Sequence, residues 1–389
     1  KDGIEPAKRL SSLGKNVWVE FAKLNAQYKT VNVGQGFPDY KPPHYLMNTL
    51  ATTCAAELEN DLMHQYTRSQ GHPRLVKSIA SLFSKLHGRD IQPLTEVLIT
   101  NGAYQSLFCA ISAFVNEGDE VIIIEPFFDC YEKMVTFIGG VPVGIPLRPS
   151  EDNWRSARGW KIDPKELEAA FTPKTKAIIF NTPNNPLGKV FERDEIEMIA
   201  DAIKKHNVLC ISDEVYEWLI YPGNEHIRIA TLPGMWDRTV TISSAGKTFS
   251  ATGWKIGWSV GPEKLISPIA SVHANSMYVL PTPTQEACAI GLETEEKLLG
   301  TEKSYFHEMT TSLLKKRDLE VKILQDAGFD PVIPDGGYFI MADTSKLGVK
   351  FPEDENDEPY DMKFCKWMIK EKGIAAIPPS AFYYQHGKI

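Results

Sequence analysis

"EVIIIEPFF", Glu120 to Phe128, carries an unbroken apolar run from Val121 to Ile124 and then a Glu-Pro step. A strand with one face in water alternates apolar and polar residues, whereas a continuous apolar run suits a strand covered on both faces, as in a parallel sheet. The same texture recurs along the chain. "EVLIT" (96–100) precedes "AYQSLFCAISAFV" (103–115), and "EVIIIEPFF" precedes "CYEKMVTFI" (130–138). "AIIFNT" (177–182) precedes "RDEIEMIADAIKKH" (193–206), and "VLCISDE" (208–214) precedes "VYEWLI" (215–220). Buried strands alternating with amphipathic stretches are the pattern of βαβ units.

The expectation is an α/β fold: a large three-layer α/β/α domain with a mostly parallel sheet over residues 46–294. Beyond it the texture changes. "SYFHEMTTSLLKKRDLEVKILQDAG" (304–328) has helical spacing with Gly328 as a stop, "GGYFIMAD" (336–343) reads as a strand, and "KFCKWMIKEKG" (363–373) as another helix. Residues 295–389 are therefore expected to form a smaller α+β domain, with residues 1–45 as an N-terminal arm and part of that domain. "RPSEDNWRSARGW" (148–160) and "PEDENDEPYD" (352–361) read as solvated, charge-rich loops.

With 389 residues, 43% hydrophobic and 24% charged, the chain is long enough for a core and a second lobe. Its 42 Lys+Arg against 50 Asp+Glu give −8, so there is no basic field for nucleic acid or an anionic membrane, and small molecules are the expected partners. Cys54, Cys109, Cys130, Cys210, Cys288 and Cys365 form no CxxC pair, which argues against a zinc or disulfide framework; they are expected to be core thiols in a reducing compartment, cytoplasm or mitochondrion. No metal is expected. No apolar run approaches the roughly 20 residues that span a bilayer.

"GKT" at Gly246 to Thr248 raises the question of what Lys247 does. A Walker A motif, GxxxxGK[ST], would put its first glycine at residue 241, where Thr241 stands. "VLCISDE" imitates a Walker B strand but precedes the lysine instead of following it, so a P-loop phosphotransferase is a remote alternative. A covalent pyridoxal 5′-phosphate site needs a lysine, an acid for the ring nitrogen, donors to the ring phenolate and a phosphate cradle. All four have candidates at strand ends.

Five segments in order, "NVGQGFPDY" (32–40), "IIIEPFFDCYE" (122–132), "NTPNNPLGKVF" (181–191), "SDEVYEWLIY" (212–221) and "SAGKTFSATGWKIGW" (244–258), resemble the fold-type I, class I aminotransferases. Within them the wording is most similar to the kynurenine aminotransferases, also called glutamine transaminase K or cysteine-S-conjugate β-lyase. The resemblance covers most of the chain. It implies a pyridoxal phosphate enzyme that moves the amino group of kynurenine, glutamine or a large apolar amino acid to a 2-oxoacid, with β-lyase side activity.

Under that resemblance Lys247 holds the cofactor covalently and then moves the substrate proton, and small Ser244, Ala245 and Gly246 leave room for a ligand near the backbone. Asp213 ends a buried strand, where an unpaired carboxylate is unfavourable unless a cation such as a pyridinium accompanies it. Tyr216 and Asn185 resemble the pair that binds the phenolate oxygen, although core packing and a turn role are the other readings. The "TPNNP" phrase suggests a rigid, cis-capable peptide at Asn185. Ser244 and Lys255 are assigned to the phosphate. So are Gly102, Ala103 and Tyr104, whose N–H groups should open a helix after "ITN". Phe128 resembles the aromatic stacked on the ring, with a core role as the alternative.

Tyr66, in "HQYTRSQG", resembles the tyrosine given across a dimer interface to the partner's phosphate, implying a homodimer. Trp18, Gly36, Tyr104, Asn185 and Tyr278 fall where the family lines its substrate pocket. The family continues past "AIPPSAFY" (376–383) into a strand whose arginine clamps the substrate carboxylate, and this chain ends at Ile389 without it. A truncated isoform that binds cofactor but is catalytically impaired therefore stands as the alternative expectation.

Overall fold

The computed structural model describes residues 4–10, 17–55, 61–352 and 358–384. Its strands are β1 (Val31–Asn32), β2 (Val97–Asn101), β3 (Glu120–Glu125), β4 (Val141–Pro149), β5 (Trp160–Ile162), β6 (Thr175–Asn181), β7 (Leu209–Asp213), β8 (Thr239–Ser244), β9 (Ile256–Val260), β10 (Asp330–Val332), β11 (Met341–Asp343) and β12 (Ile374–Ala375). The helices are α1 (Val17–Tyr28), α2 (His44–Ala55), α3 (Pro73–His87), α4 (Gly102–Phe114), α5 (Cys130–Phe137), α6 (Pro164–Ala169), α7 (Arg193–His206), α8 (Ala245–Thr248), α9 (Glu263–Ser276), α10 (Thr282–Leu298), α11 (Tyr305–Asp326) and α12 (Tyr360–Trp367).

Eight strands form one sheet in the order β2-β9-β8-β7-β6-β3-β4-β5. The pairs β4·β3, β3·β6, β6·β7 and β7·β8 are parallel. β9 runs antiparallel to both β8 and β2, and β5 antiparallel to β4. The apolar run of β3 explains the two covered faces. Val121 and Ile123 pack with Leu107 and Ile111 of α4 and Ile266 and Ile269 of α9, while Ile122 and Ile124 pack with Ile196, Ile199 and Ile203 of α7. A capping box from Glu192 and Glu195 starts α7, and Asn207 in the left-handed conformation ends it.

Parallel strands put their C-terminal ends on one edge, and there Asn181 ends β6, Asp213 ends β7, Ser244 ends β8 and Asn101 ends β2. Because β9 runs the other way, its N-terminal end, with Lys255 just before it, reaches the same edge. The register aligns Asn181 with Asp213, Ser244 with Gly257 and Asn101 with Ile256. Two smaller sheets stand apart: β1 pairs in parallel with β12, and β10 antiparallel with β11. No helix among the described residues is long and apolar enough to cross a membrane.

Several expectations change. The divisions after residues 45 and 294 fall inside α2 and α10, which pack on each other. "VYEWLI" is a series of turns, because Glu217 and Leu219 donate to the carbonyls of Glu214 and Tyr216 while the Glu217 side chain is drawn inward to Arg228. "GGYFIMAD" is strand only from Met341. Its glycines dock instead on the large sheet side, where Gly336 and Gly337 donate to the carbonyls of Gly188 and Leu219. β11 pairs with β10 along one side in a two-stranded sheet. Cys54 is exposed; the other five thiols are buried. Residues 353–357 of the acidic loop and 385–389 of the tail lie outside the described residues.

Candidate active site

A cavity of about 460 Å³ opens over the strand ends. Trp18, Gly36, Gly102, Ala103, Tyr104, Phe128, Asn185, Asp213, Tyr216, Ser244, Lys247 and Lys255 all line it, so most of the residues singled out from the sequence meet there. Tyr66 and Tyr278 do not. They stand edge to face, ring centroids 5.7 Å apart, 81% and 58% exposed and outside the cavity of their own chain.

Lys247 sits on α8, the short turn of helix after β8. Its Nζ donates to the Gly36 carbonyl at 2.6 Å and lies 5.4 Å from the Tyr216 ring centroid. Desolvation lowers its pKa to about 8; Lys255 pushes the same way and Asp213 opposes. Asp213 is buried, and burial pushes its carboxyl up to about 6 against the pull of two donors. Those donors are the Tyr131 hydroxyl, 2.6 Å from Oδ2, and the Val215 N–H, 3.3 Å from Oδ1. The neighbouring Glu214 faces away from the cavity, bonded to Ser212 and His226. Burial pushes Glu214 up, yet His226 and Arg228 outweigh it and hold it low.

Asn185 is held from beneath. Asn181 Oδ1 accepts from the Asn185 N–H at 2.7 Å, while Asn181 Nδ2 donates to the Asp213 carbonyl at 2.9 Å. The Thr182–Pro183 and Asn185–Pro186 peptides are cis. Tyr216 is buried, with the Tyr338 ring edge-on at 5.1 Å.

Gly102, Ala103, Ser244 and Lys255 line the same cavity as Asp213. α4 starts at Gly102 with no side chain capping its first turn, so its leading N–H groups and helix dipole face the cavity. Gly102 has φ +71, and a Cβ there would stand 3.1 Å from Lys255 Nζ. A Cβ on Gly257 would come within 2.4 Å of the Gly102 carbonyl carbon, so glycine lets β9 lie against the start of α4. Neither Lys247 nor Lys255 has a carboxylate ion-paired with it among the described residues, which leaves two cations available to an anionic ligand.

Sequence reasoning missed Tyr131, Asn181, Gly257, Phe339 and Phe382. Gly257 lay within the quoted "GWKIGW", and Tyr131 within "FFDCYE", but nothing in local composition marked their roles. Phe339 closes on Gly36, where a Cβ would come 2.5 Å from its ring; Phe382 meets Trp18 edge-on at 6.4 Å. No arginine lines the cavity among the described residues.

Residues 28–389 match the family aminotransferase class I and II. The chain is 53% identical over 378 residues to kynurenine–oxoglutarate transaminase 3 of Mus musculus, covering 97% of this chain and 82% of that protein. It is 48% identical over 382 residues to kynurenine–oxoglutarate transaminase 1 of Homo sapiens, covering 97% and 90%. Among solved structures, N-succinyldiaminopimelate aminotransferase from Mycobacterium tuberculosis superposes with a TM-score of 0.87 at 35% identity, covering 98% of this chain and 92% of that one.

Proposed function

This chain belongs to the class I and II aminotransferase family, and we propose that within it the preferred donors are kynurenine and other amino acids with large flat side chains, glutamine included, with a 2-oxoacid as acceptor. The protein is an aminotransferase, and the family implies pyridoxal 5′-phosphate as its cofactor. The cavity fits that group by its chemistry: an uncapped helix start with Lys255 and Ser244 for a phosphate, a buried carboxylate for a ring nitrogen, Phe128 for a ring face, and an amine desolvated enough to lose its proton.

Once bound, pyridoxal phosphate supplies an electron sink for the pair left on the substrate α-carbon. The chain's own groups do the rest. Lys247 would hold the cofactor and, when free as a neutral amine, would take the α-proton. The Asp213 carboxylate would favour a protonated ring nitrogen, and Tyr216 and Asn185 would serve as donors to the phenolate oxygen. If the β-carbon carries a good leaving group, removal of the same α-proton can expel it, so we include β-elimination from cysteine S-conjugates as a side activity. Tyr66 and Tyr278, standing exposed together, suit delivery to a second copy's cavity in a homodimer.

The aromatic wall around Lys247, made by Trp18, Tyr104, Phe128, Phe339 and Phe382, carries the substrate reading. Burying a ring there is worth about 1.5–3 kcal/mol. Steady-state assays of the holoenzyme should therefore favour kynurenine over alanine in kcat/KM by about 10- to 100-fold. Equal values for the two would refute the preference.

A further inference from the structure

We propose that Glu125 is a positioning residue: it latches residues 382–384 onto the end of β3 and so sets Phe382 in the wall against which a large substrate side chain packs. The proposal rests on the substrate reading above and adds the residue that builds the wall.

The last residue of β3 is a carboxyl that is only 9% exposed, and a group so placed needs a partner. Glu125 finds one 259 residues away, where Oε1 accepts the Tyr384 N–H at 2.7 Å. Two residues along on each side, the Phe127 N–H donates to the Phe382 carbonyl at 2.9 Å. The two segments are thus clasped by a pair of hydrogen bonds, one of them made by a side chain. Phe382, whose carbonyl accepts one of these bonds, is buried and lines the cavity, with Trp18 edge-on.

Room for the latch comes from the neighbouring strand. A Cβ on Gly144 of β4 would stand 2.4 Å from Glu125 Oε1 and 2.8 Å from Cδ, so a larger residue there would displace the carboxyl. Burial pushes the Glu125 carboxyl up and the Tyr384 N–H pulls it back. The latch itself needs only an accepting oxygen, which an amide also offers. The same stretch carries Phe128, so Glu125 ties the substrate wall to the strand end beside the cofactor cradle.

The holoenzyme variants Glu125→Ala, Glu125→Gln, Phe382→Ala and the double Glu125→Ala/Phe382→Ala test this. Glu125→Ala should raise KM for kynurenine about 10-fold, with kcat and the KM for alanine within about 2-fold, as expected for a lost hydrogen bond that loosens one ring contact. Glu125→Gln should stay near wild type, and Glu125→Ala should add nothing to Phe382→Ala. Amide exchange at 382–384 should quicken in Glu125→Ala. Parallel KM rises for kynurenine and alanine, loss of kcat at constant KM, Gln behaving as Ala, or unaltered exchange would each overturn the latch. If wild type shows no preference for kynurenine, the substrate reading fails alone, and the exchange measurement still decides the latch. Should Glu125→Ala not fold, Gly144→Ala must reproduce the faster exchange and the KM split, and its failure to do so overturns the proposal.

Discussion

The Tyr131 hydroxyl donates a 2.6 Å hydrogen bond to Oδ2 of Asp213, and both side chains are buried. Tyr131 comes from α5 and Asp213 from the end of β7, so helix packing on the sheet delivers the donor that keeps this carboxylate charged. Tyr131→Phe keeps the ring and removes the donor. A hydrogen bond to a charged group contributes about 1.5–3 kcal/mol, so kcat/KM should fall by about 10-fold or more. Losing a donor to the charged form raises the Asp213 pKa, and the acid limb of the kcat profile should move to higher pH. An acid limb that stays in place would argue against Tyr131 acting through Asp213.

In the cofactor-free protein Asp213 moves from 3.8 to about 6. An acid whose folded pKa is raised adds stability below its unfolded pKa and loses it as pH climbs through the folded one. Between about pH 4 and 6 the native state should therefore lose on the order of 3 kcal/mol through this group. Cofactor-free Asp213→Asn should lack that loss and be more stable than wild type at pH 7.5, while the gap closes near pH 4. Denaturant titration at both pH values checks it. With the cofactor added, the order should reverse, and turnover of the variant should fall by about 10³-fold.

Lys247, with its pKa brought down to about 8 by burial, should be half deprotonated near that pH, and only the neutral amine attacks a carbonyl. The rate of covalent cofactor uptake by the cofactor-free protein should rise with pH and level off above about 8. An ordinary lysine would keep rising toward 10.4. Borohydride reduction followed by peptide mapping should put the label on Lys247, and Lys247→Ala should remove it. A label on Lys255 would show that the wrong lysine has been assigned.

Much of this was legible in local sequence, for reasons that are themselves local. The run Val121 to Ile124 required cover on both faces, and that alone implied a parallel sheet with ligands at its strand ends. Gly102 after "ITN" marked a helix start with free N–H groups, and Lys247 and Lys255 were readable as cations among small residues. Tertiary structure decided what those residues touch. Asp213 and Glu214 are adjacent in sequence, yet the pleat sends one to Tyr131 in the cavity and the other to Ser212 and His226. Asn181 supports Asn185 and Asp213 together because β6 and β7 lie in register, and Gly257 makes way for α4 because β9 runs antiparallel beside β2. Glu125 and Tyr384 meet across 259 residues. Apolar runs and turn residues act through the backbone within a few positions and so show in the sequence, whereas these pairings follow from strand order and helix packing, which only the folded chain sets.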